Sequence, residues 1–129
     1  MLRRRLTGVS GLLAIVLLLA GCGEGFYKYA RDGIAASKGA IEAAQAEYMD
    51  ECVADPSLQP CVTINKAIDA QNLAVDALNL YCSGPQWDLP GGECDPPSSK
   101  ETRAHLESRV RAALNAMSGI IAEVEGLIR

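Results

Sequence analysis

From Tyr27 onward the apolar positions fall at steps of three and four. Tyr27, Ala30, Ile34, Ile41, Ala44 and Tyr48 define one face of a helix, with Arg31, Lys38, Glu42 and Glu47 off it. The spacing predicts a helix over about 27–52, ended by Asp55-Pro56-Ser57. Its face is rich in alanine, so a neighbouring helix can approach closely, while Gly33 and Gly39 weaken it by about 1 kcal/mol each relative to Ala. A second helix is predicted over 62–82, with the stripe Ile64, Ile68, Val75, Leu78 and Cys82 widened by Ala67, Ala70, Ala74 and Ala77. Leu73 and Leu80 stand to its side and are expected to face a third element. Gly84-Pro85 stops it, with Gly84 expected as the left-handed cap. The third helix, 99–128, has the strictest pattern: Leu106, Val110, Ala113, Met117, Ile120, Val124 and Leu127, broadened by Leu114, Ile121 and Ile128. Ser98 and Glu101 have the spacing of a capping box at its start. No segment shows the alternation of a strand. The expected fold is all-α, an up-down-up three-helix bundle.

Ahead of the bundle the pattern is different. Arg3-Arg4-Arg5 precedes the apolar run Leu12–Leu19, followed by the small residues Ala20 and Gly21 and then Cys22. A charged start, a short apolar stretch and small residues read as a secretory signal. The run falls short of the roughly 20 apolar residues that span a bilayer. Leu19-Ala20-Gly21-Cys22 resembles the cleavage box of bacterial lipoprotein precursors: an aliphatic residue, a small residue, Gly or Ala, then Cys. The resemblance covers residues 1–22 and implies that the Cys22 thiol receives a diacylglycerol and that the chain is cut before it. Residues 1–21 would then be a cleaved signal peptide, 22–26 the lipidated cysteine with a short tether, and 27–129 the bundle. Gly23 stands where Asp tends to hold such proteins at the inner membrane, so the resemblance implies the outer membrane, facing the periplasm, in a Gram-negative cell.

Composition supports this picture. The chain has 129 residues and a formal net charge of −4. Without the three arginines of the signal, nine Lys and Arg face 16 Asp and Glu, and the net charge becomes −7. Such a domain repels nucleic acid and anionic lipid surfaces. Acyl chains on Cys22 would be its hold on a membrane. Of five cysteines, Cys22 is assigned to lipid, leaving Cys52, Cys61, Cys82 and Cys94. An even number in a small exported domain predicts two disulfides, and the wide gaps argue against a zinc knuckle. If the second helix is continuous, its ends lie about 30 Å apart. Disulfide Cα atoms lie within about 7 Å. Only Cys52–Cys61 with Cys82–Cys94 satisfies both, each bond stapling one inter-helix loop.

No reactive constellation emerges. His105, the single histidine, is expected to be an exposed helix residue. The acids Asp50, Glu51 and Asp55, and those in the second loop, Asp88, Glu93 and Asp95, lack the alternating pattern of a calcium loop. Asn65, Asn72 and Asn79, with Asp69 and Asp76, recur at heptad spacing and are expected to be a solvated stripe. There is no phosphate loop and no nucleophile motif. The expectation is therefore a non-enzymatic protein without cofactor or metal. It would act by contact with an unidentified envelope protein, as a structural accessory or an immunity or exclusion factor. The alternative is a helical carrier holding an apolar ligand between its helices. Two contact regions are considered. Phe26, Tyr27, Tyr29 and Trp87 would lie against a membrane, the alternative being that Trp87 plugs the bottom of the bundle. Ile121, Val124, Leu127 and Ile128 would form an exposed edge for a partner, the alternative being that the first helix and the loop 53–60 cover them.

Overall fold

The computed structural model describes residues 24–128. Three long helices form the bundle: α1, Glu24–Ala54; α2, Gln59–Tyr81; and α3, Lys100–Leu127. A single 3₁₀ turn, Pro85–Asp88, lies in the second connection, and there is no strand among the described residues. Each helix packs on the other two, and the pairing of α2 with α3 is the most extensive. At 1.5 Å per residue the helices are about 46, 34 and 42 Å long. The predicted all-α bundle is the observed fold, and both disulfides have the predicted pairing.

The helices meet along small residues. α1 turns Phe26, Ala30, Ile34, Ser37, Ile41 and Ala44 inward. α2 opposes them with Ile64, Ala67, Ala70, Ala74, Ala77, Leu78 and Tyr81. α3 contributes Val110, Leu114, Met117, Ile121 and Val124. Ala30, Ala44, Ala67 and Ala74 are wholly shielded from solvent. Buried Ser37 donates its hydroxyl to the Gly33 carbonyl one turn back, 2.9 Å away, so its polarity is satisfied inside its own helix.

Several expected boundaries move, each for a local reason. α1 starts at Glu24 instead of Tyr27, so residues 24–26 are helix and not tether. The gain is burial of Phe26, which packs edge-on against Tyr81 with ring centroids 5.2 Å apart. α2 starts at Gln59 instead of 62, with proline in its first turn, where a missing N–H costs nothing. The cap of α3 is Ser99, not Ser98: its hydroxyl accepts from the Thr102 N–H at 3.4 Å. At the end of α2 the left-handed helical cap is Ser83, φ 61°, and Gly84 follows it at φ 141°, also a conformation that favours glycine. The Gly84 N–H reaches back to the Asn79 carbonyl at 2.8 Å, the closing bond of a Schellman turn.

The inward faces are those read off the sequence, with the centre of the α2 face shifted toward its alanines. In α2 the alanine line is the core, while Ile68 and Val75 are only half-buried. Leu73 and Leu80 face solvent and meet no third element. α2 lies between two neighbours on one side only, so its opposite side stays bare.

Candidate functional site

The structure organises its non-core residues at the two ends of the bundle. One end holds the first turns of α1 and α3, the last turn of α2 and the loop 82–95. The other holds the last turns of α1 and α3 and the turn at 55–58.

At the first end the loop forms a plug. Cys82–Cys94 ties it to the last turn of α2, with Cα atoms 4.5 Å apart. The Asp95 N–H donates to the Cys82 carbonyl at 3.3 Å, and the Ser83 hydroxyl donates to the Asp95 carbonyl at 2.8 Å. Trp87 is 3% exposed. Its indole N–H donates to the Asn79 side-chain oxygen at 2.6 Å. The Tyr27 hydroxyl shares its proton between the Trp87 and Gly92 carbonyls, at 3.4 and 3.3 Å. Gly92 is required because a Cβ there would run into the Gln86 carbonyl. Phe26 is covered on another side by Arg111, whose guanidinium sits 4.8 Å from the ring centroid and pairs with Glu107 at 3.0 Å. Beside it, burial and the Glu107 carboxylate push the Tyr81 phenol above its usual value, with Arg103 opposing.

The expected membrane contacts therefore need correction. Trp87 and Phe26 are buried, and Tyr27 is half-buried with its hydroxyl engaged. Tyr29, the loop residue Leu89 and Leu80 on the last turn of α2 remain exposed there. The reason is chemical: Asn79 offers the indole N–H an acceptor inside the fold, so the ring closes the bundle instead of facing outward. Asn79 thereby leaves the polar stripe of α2, while Asn65, Asp69, Asn72 and Asp76 are exposed as expected. Nothing at the sequence level distinguishes Asn79 from Asn65 or Asn72.

The partner edge expected on α3 is corrected in the same way. Ile121 and Val124 are buried and Leu127 is half-buried, leaving Ile128 alone exposed. α1 extends to Ala54 and covers this stretch, and its Tyr48 hydroxyl donates to the Leu127 carbonyl at 2.8 Å. That bond satisfies one of the orphan carbonyls at the end of α3.

At this far end Cys52–Cys61 joins α1 to α2 with Cα atoms 5.6 Å apart. Inside the turn, the Asp55 carboxylate accepts from the Ser57 N–H at 3.1 Å and from the Ser57 hydroxyl. These bonds hold its carboxyl below the usual carboxylate range. Exposed apolar residues that the sequence reading did not name, Met49, Val53 and Leu58, gather here beside Ile128, the one residue of the expected edge that is exposed. Met49 and Val53 lie on the side of α1 turned away from the inward row of Ile41, Ala44 and Tyr48.

His105 is exposed on the first turns of α3. Among the described residues no group of His, Cys, Asp and Glu is set to hold a metal ion. No described helix is long and apolar enough to cross a membrane. Cys22, the expected lipidation site, lies outside the described residues. A shallow open depression lined by Asp76, Asn79, Leu80, Ser83 and Gly84 sits on the surface of α2. No family model, curated protein or solved structure matches the chain.

Proposed function

We propose that the protein is a non-enzymatic lipoprotein of the bacterial envelope, anchored through Cys22 and acting by contact with another envelope protein. Export is supported by the signal-like segment ending in Leu19-Ala20-Gly21-Cys22 and by the two disulfides, which persist in oxidising compartments. The mode of action rests on one observation, the closed and stapled core. Alanines meet at the helix interfaces, the Trp87 loop plugs one end, and a disulfide fastens each connection. Such a body favours a rigid module over a carrier, which must open between its helices to admit an apolar ligand.

The anchor is tested by fractionation and mass spectrometry of the expressed chain. Its N-terminal peptide is expected to begin at a diacylglyceryl Cys22, and Cys22→Ser is expected to leave the membrane fraction. Recovery of both forms in the soluble fraction with an unmodified N-terminus would overturn the anchoring. The mode of action is tested by cross-linking in intact envelopes. A discrete cross-linked protein is expected, and solvent extraction of the purified protein is expected to release no stoichiometric apolar ligand.

A further inference from the structure

Resting on the reading of the protein as an interaction module, we infer that the far end of the bundle is a docking surface for a cationic amphipathic segment of a partner protein. Two independent observations converge on that end.

The first is electrostatic. The C-terminal ends of α1 and α3 both lie there, each carrying a partial negative charge that favours nearby cations. Neither helix has a basic residue in its last turn. Glu47, Asp50 and Glu51 lie on the last turns of α1, Asp55 in the turn, and Glu123 and Glu125 at the end of α3, all exposed. The N-terminus of α2 opposes them with a single partial positive charge. The two ion pairs among the described residues, Arg31–Asp32 and Arg111–Glu107, belong to the other end. The nearest described cations are Lys66, about two turns into α2, and Lys38, further back along α1, against these six acids. Acids at helix C-termini weaken the helices they sit on. Here the Cys52–Cys61 staple and the Tyr48–Leu127 bond hold the end together in spite of them. A local rule broken at exposed positions is the mark of a surface kept for something other than stability.

The second is apolar exposure within the same surface. Val53 is 82% and Met49 61% exposed, one turn apart on α1. Leu58 and Ile128 are each 40% exposed, on the adjoining turn and on the end of α3. Methionine adapts its shape to an incoming side chain. Apolar side chains set among unpaired carboxylates complement a segment that carries both apolar and positively charged residues. They repel anionic ligands and anionic lipid, and a bare metal ion would have no use for the apolar part. The other acidic cluster, Asp88, Glu93 and Asp95, is different, because Lys28, Arg31, Lys100 and Arg103 share its end of the molecule.

The test uses the full chain as isolated, with or without its lipid, in neutral phosphatidylcholine nanodiscs. The probe is a fluorescein-labelled amphipathic helix of leucine and lysine, read by anisotropy. Binding is expected to weaken about tenfold for Met49→Ser with Val53→Ser. Asp50→Asn with Glu51→Gln is expected to weaken it about fivefold and to flatten its salt dependence, while the thermal midpoint holds or rises. Leu89→Ser with Asp88→Asn at the other end is expected to change nothing. Equal loss from that control, no loss from the far-end variants, or equal binding of a leucine–glutamate helix would overturn the assignment. So would self-association of the chain abolished by the far-end variants, which would make a second copy the occupant. A cross-linked envelope partner that survives the far-end variants would sink this surface and leave the interaction role standing.

Discussion

Trp87 shows how much a single side-chain partner decides. An indole N–H buried without an acceptor costs about 1–3 kcal/mol, and Asn79 supplies that acceptor at 2.6 Å. Asn79→Ala is therefore expected to lower the unfolding free energy by about 1–3 kcal/mol in denaturant titrations. The emission of Trp87, the only tryptophan, is expected to shift red as the plug loosens. Asn72→Ala, one heptad back and exposed, is expected to stay within about 0.5 kcal/mol of the native protein. At the opposite end the Asp55 carboxyl is held low by Ser57. A depressed carboxyl contributes stability that is present above its unfolded value and is lost as pH falls through its folded value. Ser57→Ala, which keeps the backbone N–H bond, is expected to raise the Asp55 titration midpoint toward the ordinary carboxylate range, followed by NMR, and to reduce that acid-side contribution. An unchanged midpoint would show that the Ser57 hydroxyl bond does not govern it.

At the scale of the helix, the periodicity located three elements and the alanines announced their close approach. It located the inward face of α2 but placed its centre too far toward the bulky residues. Ile68 and Val75 look like core by hydrophobicity, yet Ala67, Ala70, Ala74 and Ala77 are the buried line. A helix flanked on one side by two others turns its smallest side chains to them, because close backbone approach buries more area than the bulkier face would. Ala74→Leu is accordingly expected to overpack the interface and cost about 1–3 kcal/mol. Leu73→Ser, the neighbouring but exposed position, is expected to be nearly neutral. Thermal unfolding of the two variants checks the contrast, and a reversed order would mean that α2 is rotated from the direction seen here. Ser83 in the left-handed cap and Ser99 as the N-cap of α3 are one-residue shifts of the same origin. The caps settle where the chain can leave the helix toward its next contact.

Across the whole molecule the two disulfides hold the ends that the core cannot. Cys52–Cys61 sits where acids crowd two helix C-termini, and Cys82–Cys94 clamps the Trp87 plug. In the chain-entropy account each is worth about 2.5–3 kcal/mol, a large part of the stability of so small a domain. Cys82→Ser with Cys94→Ser is expected to lower stability by about 2–5 kcal/mol and to release Trp87. Cys52→Ser with Cys61→Ser is expected to cost a similar amount while leaving the Trp87 emission in place. A change in emission from the second pair alone would contradict the separation of the two ends. The helical class, the three elements and the disulfide pairing were legible in the sequence, because helix periodicity, chain reach and bond length are local or geometric constraints. Which residues became surface was decided only by tertiary packing. Phe26 and Trp87 went inside once Tyr81 and Asn79 were beside them. Ile121 and Val124 were covered once α1 reached past them, and Met49 and Val53 were left in solvent because no helix lies on their side. Hydrophobicity says that a side chain gains by burial, but the supply of neighbours, which only the assembled bundle determines, says whether it can have it.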